Sequence, residues 1–155
     1  MRALVFVLAL AACSQQTEAP SEPAAETPVP AAEAAAASND PATNLARMPA
    51  PDGLRAAGVD FRAVGQEPGW LLDIYTRGVI KMVWAYGENY AEFAVEAPNT
   101  AQEGATRYEA SSDGRSLVVT IRRAPCQDAM SGEAYPATVE VVIDGMTLNG
   151  CGRSV

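Results

Sequence analysis

No histidine occurs anywhere in the 155 residues. That absence removes the usual general base, the commonest metal ligand and the side chain that titrates nearest neutral pH. Positive charge is scarce: 11 Lys and Arg stand against 19 Asp and Glu, a net charge of -8. Nucleic acid would need the opposite, a basic footprint, so it is excluded as a partner. No apolar run reaches the ~18 residues that suggest a membrane-spanning helix. There are 3 cysteines, none in a Cys-x-x-Cys pair. No nucleophile–base pair and no ligand set can be assembled from these residues. The expectation is therefore no catalytic residue, no metal, no cofactor and no enzyme.

What is present begins with an export signal. Arg2 precedes Ala-Leu-Val-Phe-Val-Leu-Ala-Leu-Ala-Ala, a short apolar centre with small residues at its exit. Leu10-Ala11-Ala12-Cys13 resembles the lipobox of bacterial lipoproteins. The resemblance implies that Cys13 becomes the first mature residue and carries lipid, giving stable anchoring when more than one chain is attached. The alternative is an ordinary secretory signal with an incidental cysteine. Ser14 rather than Asp follows the cysteine. By analogy with bacterial lipoprotein sorting, that predicts the outer membrane, with the protein facing the periplasm.

From Ser14 to about Ala50 the chain is Ala, Pro, Glu, Ser and Thr with almost no aromatic or branched side chains. Such a stretch buries too little apolar surface to offset its ordering entropy, and it is expected to be disordered. If mostly polyproline-like, it reaches roughly 100 Å at ~3.1 Å per residue. The expected organisation is a signal peptide at 1–12, a lipidated cysteine and tether at 13–50, and a domain at 51–155.

In the domain, short alternating runs are separated by turn residues. A short helical lead-in is expected over Asp52 to Val59. Strands are predicted at Phe61 to Val64, Trp70 to Thr76, Val79 to Tyr86, Tyr90 to Glu96, Arg107 to Ser111, Leu117 to Arg123, Ala137 to Ile143 and Met146 to Cys151. Trp70, Leu72 and Ile74 share one face, as do Ile80, Met82, Trp84 and Tyr86 in the next strand. Pro68-Gly69 predicts a type II turn, and Asp113-Gly114 and Asp144-Gly145 predict hairpins. About eight antiparallel strands joined mostly by hairpin-sized connections predict an all-β, up-and-down β-barrel, with a β-sandwich as the alternative.

Pairing around Asp144-Gly145 returns Cys151 to the neighbourhood of Ala137, where the loop from Cys126 arrives. With Cys13 committed to lipid, Cys126 and Cys151 are expected to form a disulfide in an oxidising compartment. The alternative, two free thiols with one a nucleophile, lacks a histidine to activate it.

Several residues are candidates for a partner or ligand surface: Glu67 and Trp70 at the first turn, and Asp128, Ser131, Glu133 and Tyr135 in the late loop. A blander reading has Glu67, Asp73, Asp128 and Glu133 capping turns and pairing with Arg122, Arg123 or Arg62, with Trp70 and Trp84 as core anchors. Met130 and Met146 are soft copper ligands in principle, but core packing is the stronger expectation for both.

Glu67-Pro68-Gly69-Trp70, Cys126-Gln127-Asp128-Ala129-Met130-Ser131, Tyr135-Pro136 and Leu148-Asn149-Gly150-Cys151 together resemble a family of bacterial exported and lipoprotein-like proteins without an established activity. Members often carry Asp after the Met-Ser pair, where this chain has Gly132. The resemblance implies the same barrel and bridge, and no function. Two classes of function stay open. One is a tethered binding module for a protein or small molecule of the envelope. Within it lies an analogy to lipoprotein inhibitors of lysozyme, through the loop Ser131-Gly132-Glu133-Ala134-Tyr135. The other is a structural or stress-tolerance lipoprotein of the envelope.

Overall fold

A computed structural model describes residues 40–98 and 104–155. The expected leader at 1–12, Cys13 and the tether as far as residue 39 lie outside the described residues.

The described chain opens with a short helix, α1 (Pro41–Leu45), and a 3-10 turn (Pro51–Gly53). Ten strands follow: β1 (Val59–Gln66), β2 (Gly69–Tyr75), β3 (Val79–Trp84), β4 (Asn89–Ala94), β5 (Ala105–Ser112), β6 (Arg115–Arg122), β7 (Cys126–Gln127), β8 (Ala134–Tyr135), β9 (Ala137–Ile143) and β10 (Met146–Ser154). Eight of them form one antiparallel sheet in the order β4-β3-β2-β1-β10-β9-β6-β5. Every neighbour in that order is a chain neighbour, save that β10 pairs with β1 and that the β7–β8 loop intervenes between β6 and β9. This is the predicted up-and-down barrel, joined through its first and last strands and left unpaired only between β4 and β5. Each predicted main strand is present.

Period-2 alternation decides what fills it. Leu72, Ile80, Met82, Phe93, Val119, Val141 and Ile143 point inward and are fully buried, with Trp70 and Trp84 beside them. Burial of each large side chain contributes about 1.5–3 kcal/mol, so this interior is the main source of stability. An eight-stranded barrel is just wide enough for side chains to fill it. Here they do, and both tryptophans are core, as the sequence suggests. The Trp70 indole is accommodated because its neighbours across the sheet are Gly65 and Gly150. A Cβ on Gly65 would stand 2.1 Å from the indole nitrogen, and one on Gly150 would stand 2.6 Å from its ring.

The turns follow the sequence in part. Asp113-Gly114 and Asp144-Gly145 each take positive φ at both positions, as a type I′ hairpin requires. The turn at Glu67-Pro68 does not follow. It is no type II turn: the Glu67–Pro68 peptide is cis, Gln66 pairs directly with Gly69, and Gly69 is outside the left-handed region. Proline thus sits third in a type VI turn. Strand β3 also ends earlier than expected. Ala85, Tyr86 and Gly87 all take positive φ, and the pairing of Trp84 with Asn89 leaves residues 85–88 as a loop. Tyr86 therefore leaves the inner face and is 67% exposed. Its ring lies across Gly69, where a Cβ would meet it at 2.9 Å.

The expected tether boundary at residue 50 is also displaced. Residues 40–50 belong to the folded unit. Asp40 caps α1 by accepting from the Thr43 amide at 3.0 Å. Asn44 is fully buried and its amide donates to the Gly87 carbonyl at 2.9 Å. Met48 covers Leu71, Val83 and Tyr90 on the outside of the barrel wall. Composition concealed this, because three side chains, Asn44, Met48 and Arg47, do the anchoring within an otherwise small and polar stretch. Under the same cover Asp73 is fully buried and takes two hydrogen bonds of 2.6 Å from Arg62. Arg62 also donates to the Pro49 carbonyl at 2.8 Å. Lys81 and Glu92 continue the charge ladder across β3 and β4 at 3.0 Å.

Candidate functional site

The long connection between β6 and β9, residues 123–136, folds back over the outer face of the wall. Its position rests on three independent ties. First, Cys126 and Cys151 are disulfide-bonded, with Cα atoms 5.5 Å apart, as the sequence predicts. Cys151 pairs with Thr138 and Val64 in the sheet and faces outward with them, so the bridge clamps the loop to the wall.

Second, Asp128 organises the loop tip. Its carboxylate accepts from the Ser131 hydroxyl at 2.6 Å and the Ser131 amide at 2.8 Å. The other oxygen accepts from the Gln66 amide at 3.0 Å, which ties the tip to the end of β1. The Ser131 hydroxyl, then the Ser131 amide, then Gln66 hold the Asp128 carboxyl below its ordinary value. These are the turn-forming bonds that make Asp and Ser common in loops.

Third, the far leg of the loop rests on β10. The Arg153 guanidinium stacks on the Tyr135 ring at 4.2 Å from its centroid. It also pairs with Glu133, whose other oxygen accepts from the Tyr135 hydroxyl at 2.9 Å. Arg153, then Tyr135, draws the Glu133 carboxyl below its ordinary value.

The loop, the β1–β2 turn and the wall of β6, β9 and β10 enclose a cleft of about 500 Å³. Gln66, Glu67 and Asp128 form one lip, and Arg122, Glu140 and Asn149 stand across it. The structure therefore brings Glu67 and Asp128 together, with Ser131 supporting Asp128. It does not bring in Trp70, which is 5% exposed in the core. Glu133 and Tyr135 are occupied with Arg153, which was not among the expected arginines. Asp73 pairs with Arg62, one of those that were. Met130 and Met146 are not core residues: they are 75% and 41% exposed. Met130 rides the loop tip that Asp128 turns outward, and Met146 follows directly on the Asp144-Gly145 turn.

Sequence reasoning passed over Glu140, and named Arg122 only as a pairing partner for an acid and Asn149 only within the late motif. The signal was there, since each is an outward position of a strand whose inward positions are obvious. Among the described residues the Arg122 guanidinium has no ion-pair or hydrogen-bond partner. The cleft offers three carboxylates (Glu67, Asp128 and Glu140), a guanidinium and amides. Among the described residues no group of three or more His, Cys, Asp and Glu side chains is placed to hold a metal. In comparisons with family models, characterised proteins and solved structures, nothing matches this chain.

Proposed function

We propose that this chain is a lipid-anchored protein of the bacterial envelope, probing a protein partner through the cleft beneath its disulfide-clamped loop. The anchor follows from the leader and from Cys13. Belonging with the exported, lipoprotein-like family described above is part of the same reading. One observation carries the assignment of the binding face. The barrel interior is filled by side chains, while the long loop is fixed to the outer wall by a disulfide, a carboxylate-centred turn and a stacked ion pair. A surface ordered beforehand loses little entropy on binding, which is the condition for useful affinity. The lysozyme-inhibitor version gains no support, because the acid and the tyrosine of the corresponding loop are engaged with Arg153.

The test is a photo-crosslinking amino acid at Ala129, on the cleft lip, in intact cells. A discrete adduct is expected from position 129 and not from Ala97, which is exposed beside Arg107 and Glu109, outside the cleft. Equal or no labelling from the two positions overturns the reading. Metabolic labelling with radioactive palmitate checks the anchor separately, and Cys13→Ala is expected to abolish it.

A further inference from the structure

A second depression, of about 640 Å³, opens at the other end of the barrel, where β1, β5 and β9 begin and β6 and β10 end. Its floor is apolar. Phe61 and Ile121 pack on the core but stay only partly buried, and Ala137 lies between them. Gly152 leaves the Phe61 ring lying flat, since a Cβ there would stand 2.5 Å from it. The opposite end is capped: Arg115 covers the Trp84 ring at 5.1 Å and pairs with Asp144 at 2.7 Å.

The rim carries two polar side chains, Arg123 and Tyr108. The Arg123 backbone amide donates to the Gly104 carbonyl at 3.4 Å, but among the described residues neither its guanidinium nor the half-buried Tyr108 hydroxyl has a partner. Asp60 shares the rim, its carboxylate 3.1 Å from the Thr76 hydroxyl, which also reaches the Gly58 carbonyl. Burial, then the Asp60 charge, pushes the Tyr108 hydroxyl above its ordinary value, so it remains a donor at every physiological pH. An apolar floor with polar donors at its edge is the usual make-up of a small-molecule site, and barrel mouths are a usual place for one.

We propose that this mouth binds a small amphipathic monoanion, its hydrocarbon body on Phe61, Ile121 and Ala137 and its carboxylate held by Arg123 and the Tyr108 hydroxyl. The site is separate from the cleft under the loop and does not depend on a protein partner there.

The test is titration of the full chain with decanoate, followed by amide chemical shifts. Saturable shifts are expected at Phe61, Thr106, Ile121 and Ala137, and not at Gln66 or Asn149. Decanol, with the same body and no charge, is expected to bind about tenfold more weakly, the worth of one charge-assisted hydrogen bond. Arg123→Gln and Tyr108→Phe are each expected to weaken decanoate while leaving decanol unchanged. Arg123 is exposed, so its substitution leaves the fold intact, and the decanol titration verifies that for both variants. Non-saturable shifts, shifts centred on the cleft, or equal affinity for decanoate and decanol would each overturn the proposal.

Discussion

At the scale of the residue, two glycines decide where the largest core side chain sits. Gly65 and Gly150 are adjacent across the sheet and leave the space that the Trp70 indole fills. A methyl at Gly150 would lie 2.0 Å from the Val64 carbonyl oxygen as well as 2.6 Å from the ring. The carbonyl belongs to the β1–β10 junction, so it cannot move without loosening the joint that unites the first and last strands. Gly150→Ala is expected to destabilise the protein by about 1–3 kcal/mol, the usual penalty of overpacking. Gly53→Ala is the control: a Cβ there meets nothing within 4 Å, and the change is expected to stay within about 0.5 kcal/mol. Urea titration of both variants checks the pair. A Gly150→Ala midpoint equal to that of Gly53→Ala would mean that the indole does not depend on the space we assign to it.

At the scale of the element, the ends of the domain hold it together as much as its middle. The disulfide joins residues 25 apart in sequence. In the chain-entropy model, closing such a loop stabilises by about 3.5 kcal/mol. Cys126→Ser with Cys151→Ser is expected to lower stability by close to that amount, measured by denaturant titration. A loss below ~1 kcal/mol would indicate that Asp128 and Arg153 hold the loop without it. The segment 40–50 makes a parallel case. A chain begun at Pro51 uncovers Leu71, Val83 and Tyr90 and removes the Pro49 carbonyl from Arg62. Loss of the buried Met48 side chain alone is worth about 1.5–3 kcal/mol. Such a chain is expected to unfold at lower urea than one begun at Asp40, and equal midpoints would return the boundary to residue 50. These two elements also show what the sequence discloses. The disulfide was legible because Asp144-Gly145 fixes a register, and register carries Cys151 to a definite place. The strands were legible because inward and outward positions alternate. The segment 40–50 was not, since its few anchors carry no period. The cis peptide at Pro68 was hidden because Pro-Gly also suits a trans turn. The partners of Glu133 and Asp128 were hidden because they depend on how the long loop lies against the wall, which no local pattern states. Arg122 and Glu140 were visible as outward positions, but only the folded loop makes a cleft of them.

At the scale of the whole molecule, the missing histidine becomes a statement about stability against pH. Asp128 and Glu133 hold folded values below the ordinary 3.8 and 4.5 of their types. Glu92 does too: burial alone would raise it, but the Tyr90 hydroxyl and Lys81 outweigh burial. A carboxylate lowered on folding contributes stability that is full above its unfolded value and is lost as pH falls through its folded value. Tyr75, Tyr90, Tyr108 and Tyr135 are all raised above the ordinary 10.0, burial being the first cause in each. Their contribution is full below that value and is lost as pH rises through the folded values. No histidine titrates between the two limbs. The melting temperature is therefore expected to be level from about pH 5 to about pH 9 and to fall on both sides. A step in melting temperature between pH 6 and 8 would contradict this assignment of groups. Acid has a second effect that works the other way, since protonating carboxylates relieves the self-repulsion of a chain at -8. The two are separated by Asp128→Asn, which removes the same repulsion at every pH but takes away the lowered group. If hydrogen bonding to that carboxylate organises the loop, the acid limb of the variant is expected to be shallower than that of the parent. An unchanged acid limb would assign the loss of stability in acid to groups other than the one at the loop tip.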